Sequence, residues 1–328
     1  MVKKTSSNDL PSFASWTNRL RLRHLAMLLN ISKHSSLTAA AESMNMSQPA
    51  VSQWLSDIES AIGVTLYTRG RRLKPTPYAD ILIKHAHVML GESSRMHEEI
   101  SAMQKGSSGI VRIGTLLVGA TKILPATLLS LMAEHPNLQF SVIEDLNVNL
   151  VTRFENNELD IIIGRIDFLM LTSKYFHEVL LDDQHCVFCG PNHPLTKKRK
   201  PTWKDTLNFP WILPPSDTPL RQAIEMNFAA NELAYPTPWV ESTSITANMS
   251  LMRQSNCLAI SSTTAARHYE SFGIIRTLPL VLSYLSNSIG MMWRDKTPSP
   301  QVQMVLDALR KQTKIIRSEH AERLKVTT

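Results

Sequence analysis

Three arrangements in this 328-residue chain combine residue types with a spacing that chemistry could use. The first is His185-Cys186-Val187-Phe188-Cys189, with His193 downstream. A Cys-x-x-Cys step holds zinc when a second ligand pair follows and all four converge. No second cysteine pair follows, and the segment reads as a strand, where residues three apart face opposite sides. Buried structural thiols are expected, with metal binding and redox sensing as the alternatives. The second arrangement is Gln48, Ser52, Gln53 and Ser56 on one helix face. Their hydroxyls and amides both donate and accept, as base edges in a major groove require. The third is Arg69, Arg71, Arg72 and Lys74 in one short loop, cations suited to phosphate. No Walker A motif, dinucleotide fingerprint, Gly-x-Ser-x-Gly elbow or His-Glu-x-x-His occurs. No catalytic residue, cofactor or metal site is expected, and an enzyme is disfavoured.

Charge placement supports the polyanion reading. The chain has 35 Lys and Arg against 28 Asp and Glu, a net charge of +7. Residues 1–108 hold 13 basic and 8 acidic residues, so one third of the chain carries most of the excess. With 43% hydrophobic residues the chain can bury a sizeable core, and its length suits two or three domains. Three cysteines cannot make a disulfide framework, so a reducing compartment is expected. Lys3 and Lys4 precede no apolar run, which argues against a signal peptide. The most apolar stretch, 110–132, is broken by Arg112, Lys122 and Pro125, so no membrane partner is expected and the location reads as cytoplasmic.

The elements that must position these residues follow from capping and periodicity. Residues 1–18 are polar and aperiodic and read as a flexible tail. Leu22, Leu25 and Leu29 mark an apolar helix face. Ser36 can cap a short helix to about Met44, and Asn45 can take the left-handed conformation that ends it. Ser47 caps the next helix, with Pro49 in its first turn and Gly63 past its end. Val51, Leu55, Ile58 and Ile62 form its buried stripe, opposite the polar face. Two helices joined so tightly form a helix-turn-helix, and the basic loop that follows reads as a wing.

Residues about 20–85 resemble the winged helix-turn-helix of LysR-type transcriptional regulators. The carriers are Leu22, Leu37, Ala40-Ala41, Ser47-Gln48-Pro49-Ala50-Val51-Ser52, Leu55, Ile58-Glu59, Gly63, Leu66-Tyr67, Arg69 and Pro75-Thr76-Pro77. The resemblance implies operator DNA as partner, with Ser47, Gln48, Pro49, Ser52 and Gln53 facing the groove. Gln53, Ser56 and Asp57 stand where the family commonly has Arg or Lys, Trp54 is bulkier than usual, and Ala79 replaces a common Gly.

A helix from Pro77 to about Gln104 follows, ending in Gly106-Ser107-Ser108-Gly109. Leu82, His85, Met89, Met96, Ile100 and Met103 form a narrow seam of near-heptad spacing, suited to pairing with a second copy. Beyond it, apolar strand-like runs alternate with helical ones, the pattern of an α/β fold with a parallel-type sheet. Ligands on such sheets bind beyond the carboxyl ends of strands. Ile113-Gly114, Leu124-Pro125, His135-Pro136, Leu159-Asp160, Gly164-Arg165 and His193-Pro194-Leu195 resemble the effector domain of the same family. That implies a periplasmic-binding-protein-like α/β domain of two subdomains around a cleft.

The expected organisation is a tail (1–18), a winged helix-turn-helix (19–78), a linker and dimerisation helix with hinge (79–108), and an effector-binding domain (109–328). Subdomain I would span 110–182 and 278–310, and subdomain II 183–277. Effector contacts are expected from the Leu117-Val118-Gly119-Ala120 turn, whose N–H groups could hold an anion, and from Asn147, Arg165, Pro215, Ser216, Ser244 and Thr246. Arg165 could take a carboxylate bidentately, or else pair with Asp160 or Asp167. The expected function is sequence-specific DNA binding modulated by an organic-acid effector. The resemblance adds a homodimer through the linker, a homotetramer, and RNA polymerase as a candidate partner. The alternative is a cytosolic small-molecule-binding module with non-specific DNA affinity.

Overall fold

The computed structural model describes residues 10–68, 73–105, 109–166, 175–282 and 288–326, with side chains to 318. The chain forms two compact units, 1–105 with 155–158, and 106–154 with 159–328.

The first unit is built on helices α1 (Phe13–Arg19), α2 (Leu22–Ser32), α3 (Leu37–Ser43) and α4 (Gln48–Ile62). Serine caps set the starts: Ser36 Oγ accepts from Ala39 N at 3.1 Å and Ser47 Oγ from Ala50 N at 3.4 Å. Asn45 (φ 52°) supplies the left-handed residue between α3 and α4, and Gly63 (φ 83°) ends α4. Val51, Leu55, Ile58 and Ile62 are buried with Leu28, Ile31, Ala40 and Ala41, so small alanines let α3 close on the α4 stripe. Each large aliphatic side chain so buried contributes roughly 1.5–3 kcal/mol. A two-stranded ribbon, β1 (Tyr67–Thr68) and β2 (Lys74–Pro75), makes the wing base, with Tyr67 opposite Pro75. Helix α5 (Pro77–Lys105) follows.

One expectation is corrected in this unit. The tail expected at 1–18 contains α1, which Ser12 caps and which packs on α4. Two helical turns are too short to show a period, but Trp16 packs against the head core.

The second unit holds two five-stranded sheets. Sheet I has the order β4-β3-β5-β12-β6, from β3 (Ile110–Thr115), β4 (Gln139–Glu144), β5 (Ile161–Arg165), β6 (Phe176–Asp182) and β12 (Ser288–Trp293). Sheet II has the order β11-β7-β10-β8-β9, from β7 (His185–Cys189), β8 (Trp211–Leu213), β9 (Pro238–Glu241), β10 (Leu258–Ser262) and β11 (Arg276–Val281). Among the described residues its α-helices are α6 (Leu124–Glu134), α7 (Asn147–Glu155), α8 (Trp203–Thr206), α9 (Pro219–Ala230), α10 (Ile245–Gln254), α11 (Thr263–Ser271) and α12 (Pro300–Val326).

The sheets are mixed rather than parallel throughout. β3 runs parallel to β4 and β5, but β12 is antiparallel to β5 and β6, because the chain returns to sheet I only after sheet II is built. The expected return at 278 is also too early: Arg276–Val281 pairs with β7 in sheet II. Ile161, Ile162 and Ile163 are all fully buried, as a central strand covered on both faces requires.

Candidate functional site

Two places in the molecule carry the expected functional residues. In the head, Ser47, Gln48, Pro49 and Gln53 are exposed on α4, while Ser52 and Ser56 are half-buried beside them. Gln53 is not idle, since its Nε2 donates to Asp57 Oδ1 at 2.8 Å, one turn further on. Trp54 is fixed from the α2 side: the Arg23 guanidinium lies 5.0 Å from its ring centre and His24 meets it edge-on at 5.7 Å. Burial, then the neighbouring Arg23 and Arg21, lowers the His24 pKa. Glu59 does what sequence reasoning did not assign. Its Oε1 accepts from Leu66 N at 2.7 Å and Tyr67 N at 3.2 Å, tying the polar-faced helix to the wing. Lys74 is exposed on β2, whereas Arg69, Arg71 and Arg72 lie outside the described residues.

In the second unit, Leu117–Ala120 and Asn147 follow the carboxyl ends of the parallel strands β3 and β4, and Arg165 is the last residue of β5. Pro215 and Ser216 follow β8, and Ser244 and Thr246 follow β9, which run parallel to each other in sheet II. The turn after β3 is a π-helical one, Gly119–Ile123, and it packs against α11. The expected residues of the two sheets are thus all at strand ends, the position such folds use for ligands. Ser244 caps α10 through Ala247 N, and Ser216 and Thr246 are exposed.

Arg165 has a different environment from the one expected. It is 9% exposed and is partnered by Asp183, while Asp167 lies outside the described residues. Nη1 donates to the Asp183 carbonyl at 3.0 Å, and Nη2 lies 3.4 Å from the Asp183 carboxylate. Both ring nitrogens of His185 lie 3.1–3.3 Å from that same Nη2. Burial, then Arg165, lowers the His185 pKa to about 3. Asp183 also accepts from Thr264 N at 2.9 Å, so one carboxylate joins the end of β5 to the start of α11. Asp160 instead accepts from Arg112 N at 2.7 Å. The separation of 18 residues between Arg165 and Asp183 left no local signal for this pairing.

The Cys-x-x-Cys step sits on β7, with Cys189 in one core cluster and Cys186 in another across the sheet. Facing apart, they cannot share a metal. Burial raises their thiol pKa values to about 12 and about 11. His193 is spent on structure: Nδ1 accepts from Leu195 N and Nε2 lies 3.1 Å from the Asn256 carbonyl. A separate cavity of about 660 Å³ opens beside His193, Arg253, Asn256 and Phe272, and none of the expected effector residues lines it. No helix among the described residues is long and apolar enough to cross a membrane.

A winged head and a two-sheet domain with polar groups at its strand ends define a DNA-binding regulator. Comparison with known proteins makes the class specific. Residues 22–80 match the model of the bacterial regulatory helix-turn-helix protein of the lysR family, and residues 104–314 match that of the LysR substrate binding domain. The chain belongs to the LysR family of transcriptional regulators. It is 30% identical over 295 residues to the HTH-type transcriptional regulator GbpR of Azospirillum brasilense, covering 89% of this chain and 86% of that protein. It is 29% identical to the HTH-type transcriptional regulator GalR of Pseudomonas putida, over 83% of this chain and 68% of that one. Among solved structures, the LysR family regulator CbnR superposes with a TM-score of 0.65 at 14% identity, covering 90% of this chain and 99% of that one. CbnR complexed with its target DNA gives 0.64 at 15% identity, over 90% and 100% of the two chains. These two likenesses show the fold. The family consists of transcriptional regulators, not enzymes.

Proposed function

We propose that the chain binds operator DNA sequence-specifically and that a small molecule at the strand ends of the second unit modulates that binding. The observation carrying the first half is the neutral, exposed face of α4, where Ser47, Gln48, Pro49 and Gln53 stand clear of the core that α4 buries. With no Lys or Arg on α4, base discrimination rests on hydroxyls and amides, with Ser52 and Ser56 at the margin. Attachment rests on Arg69, Arg71, Arg72 and Lys74, which meet phosphate whatever the sequence. The effector half rests on the strand-end placement of Leu117, Val118, Gly119, Ala120, Asn147, Pro215, Ser216, Ser244 and Thr246. Arg165, engaged by Asp183, serves there as a buried support and no longer argues for an organic acid.

Helix α5 supports a homodimer. Met89, Met96, Ile100 and Met103 are 51–83% exposed and follow one another at seven, four and three residues, a narrow seam that a second copy would cover. Two heads then reach two half-sites, and assembly of two dimers gives the homotetramer. Such a regulator works in the cytoplasm, with RNA polymerase as its downstream partner.

The test is a gel-shift titration of the full chain against DNA upstream of its own gene and against a scrambled duplex, at several salt concentrations. Operator binding is expected to be selective and to weaken steeply with salt, and Arg71→Ala with Arg72→Ala should lower the salt slope by about two. Equal affinity for both duplexes would leave only the non-specific reading.

A further inference from the structure

A helix seated in a major groove has a phosphate backbone on either side of it, and α4 carries no Lys or Arg of its own. Its neighbours must therefore supply the cations. At about 100° of rotation per residue, Glu59 and Trp54 lie roughly 120° and 100° from exposed Gln53, in opposite directions around the helix. On one flank Glu59 ties α4 to the wing through Leu66 N and Tyr67 N. On the other flank Trp54 faces α2, where the Arg23 guanidinium lies 5.0 Å from its ring centre and His24 meets the ring edge-on at 5.7 Å. The wing and the amino end of α2 thus stand on the two sides of the Gln53 face.

The α2 flank keeps an excess of positive charge. Arg21 and Arg23 are both exposed, no acidic residue stands in the first turn of α2, and neither arginine has an ion pair among the described residues. Asp57 is near, but its Oδ1 accepts from Gln53 Nε2 at 2.8 Å, and it is one carboxylate against two cations. The neighbouring imidazole reports the same balance. Burial, then Arg23 and Arg21, lower the His24 pKa against the weaker opposing pull of Asp57. Neutral His24 accepts from Arg21 N through Nδ1 at 3.3 Å, which fixes the backbone from which both arginines project.

Arg23 is also restrained. A free arginine loses rotamer freedom when it grips a phosphate, and stacking on an indole face removes part of that loss beforehand. Trp54 is itself held, half-buried against the head core. The stack leaves the edge of the guanidinium, with its N–H donors, free for an oxyanion.

Resting on the reading of α4 as the operator-facing helix, we infer that Arg21 and Arg23 form a second phosphate-binding site, for the DNA backbone on the side of α4 away from the wing. Trp54 is the positioning residue that holds Arg23 for it.

The test is the salt dependence of gel shifts of the full chain on DNA upstream of its own gene and on a scrambled duplex. Arg21→Ala with Arg23→Ala should weaken both duplexes alike and lower the salt slope by about two, as the loss of two phosphate contacts requires. Arg23→Lys keeps the charge and should keep the slope, but it gives up the planar stack and should weaken both duplexes about two- to fivefold. Trp54→Leu should weaken binding by a similar factor in the wild-type background and not at all in the Arg23→Ala background. A purely structural role for Trp54 would give the same loss in both backgrounds. If Trp54→Leu does not fold, Arg23→Lys supplies the readout. An unchanged slope in the Arg21/Arg23 variant, full affinity in Arg23→Lys, or equal losses from Trp54→Leu in both backgrounds overturns the proposal. Wild-type binding on the same duplexes separates this failure from that of the regulator reading: selective binding leaves the regulator standing, and a chain that binds neither duplex removes both.

Discussion

In the head, Ser47, Gln48, Pro49 and Gln53 stand exposed at the N-terminal half of α4, and their short polar groups need little support beyond a well-packed opposite face. In the second unit, the residue with the most obvious chemistry, Arg165, is buried and bound to Asp183 beneath His185. The same residue types therefore mean different things in the two regions. A polar side chain on a capped, amphipathic helix is available for contact. A charged one at the end of a fully buried strand must be neutralised from within, because desolvating it alone is prohibitive.

Removing the buried charge should separate the regions most. Arg165→Ala leaves Asp183 unpaired and is expected to cost about 3–5 kcal/mol in the second unit, read by denaturant unfolding of the full chain. Head-domain DNA affinity should hardly change while the chain remains folded. Arg165→Met with Asp183→Asn, which keeps an acceptor for Thr264 N, should recover much of the loss. Failure to recover would mean that shape rather than charge governs the site.

A smaller effect is expected at Glu59, where the head has its own internal support. Glu59→Ala leaves Leu66 N and Tyr67 N without their acceptor and should cost about 1–3 kcal/mol, with weaker binding to all DNA. Glu59→Gln keeps an acceptor and should lose less of both.

The larger pH response belongs to the second unit. His185 titrates near 6.5 when unfolded and at about 3 when folded, lowered by burial and then by Arg165. Between those values the unfolded chain binds the extra proton, so stability falls as the pH drops below 6.5. His185→Gln lacks that proton uptake and should lose less stability than wild type between pH 7 and 5 in parallel denaturation curves. The smallest effect is expected at Asp57, whose exposed pairing with Gln53 is worth about 0.2–0.5 kcal/mol. Asp57→Ala frees Gln53, removes a negative charge from the helix proposed to face DNA, and should tighten operator binding a few-fold in a binding titration.

Local signals made the head legible. Ser36, Ser47, Asn45 and Gly63 act at caps and turns, where one residue decides the backbone, and Val51, Leu55, Ile58 and Ile62 carry the helical period. The α/β alternation of the second unit was legible for the same reason, and its strand ends located the candidate crevice. Helix α1 was hidden because seven residues hold too little period and depend on Trp16 reaching a distant core. The antiparallel β12 and the place of β11 in sheet II depend on long-range pairing. The commitment of Arg165 depends on Asp183, reached only when the chain crosses between sheets. Gly119 N and Ala120 N are spent on the Leu116 carbonyl, which depends on a π-helical turn that residue types do not announce.

The central claim is that the neutral face of α4 chooses the operator while the basic loop holds the DNA backbone. Its most direct test is the affinity of Gln48→Ala with Ser52→Ala for operator and scrambled duplexes across a salt series. The expected result is a loss of about 10–100-fold for the operator, little change for the scrambled duplex, and an unaltered salt slope. An equal loss on both duplexes, or a retained preference for the operator, would contradict it.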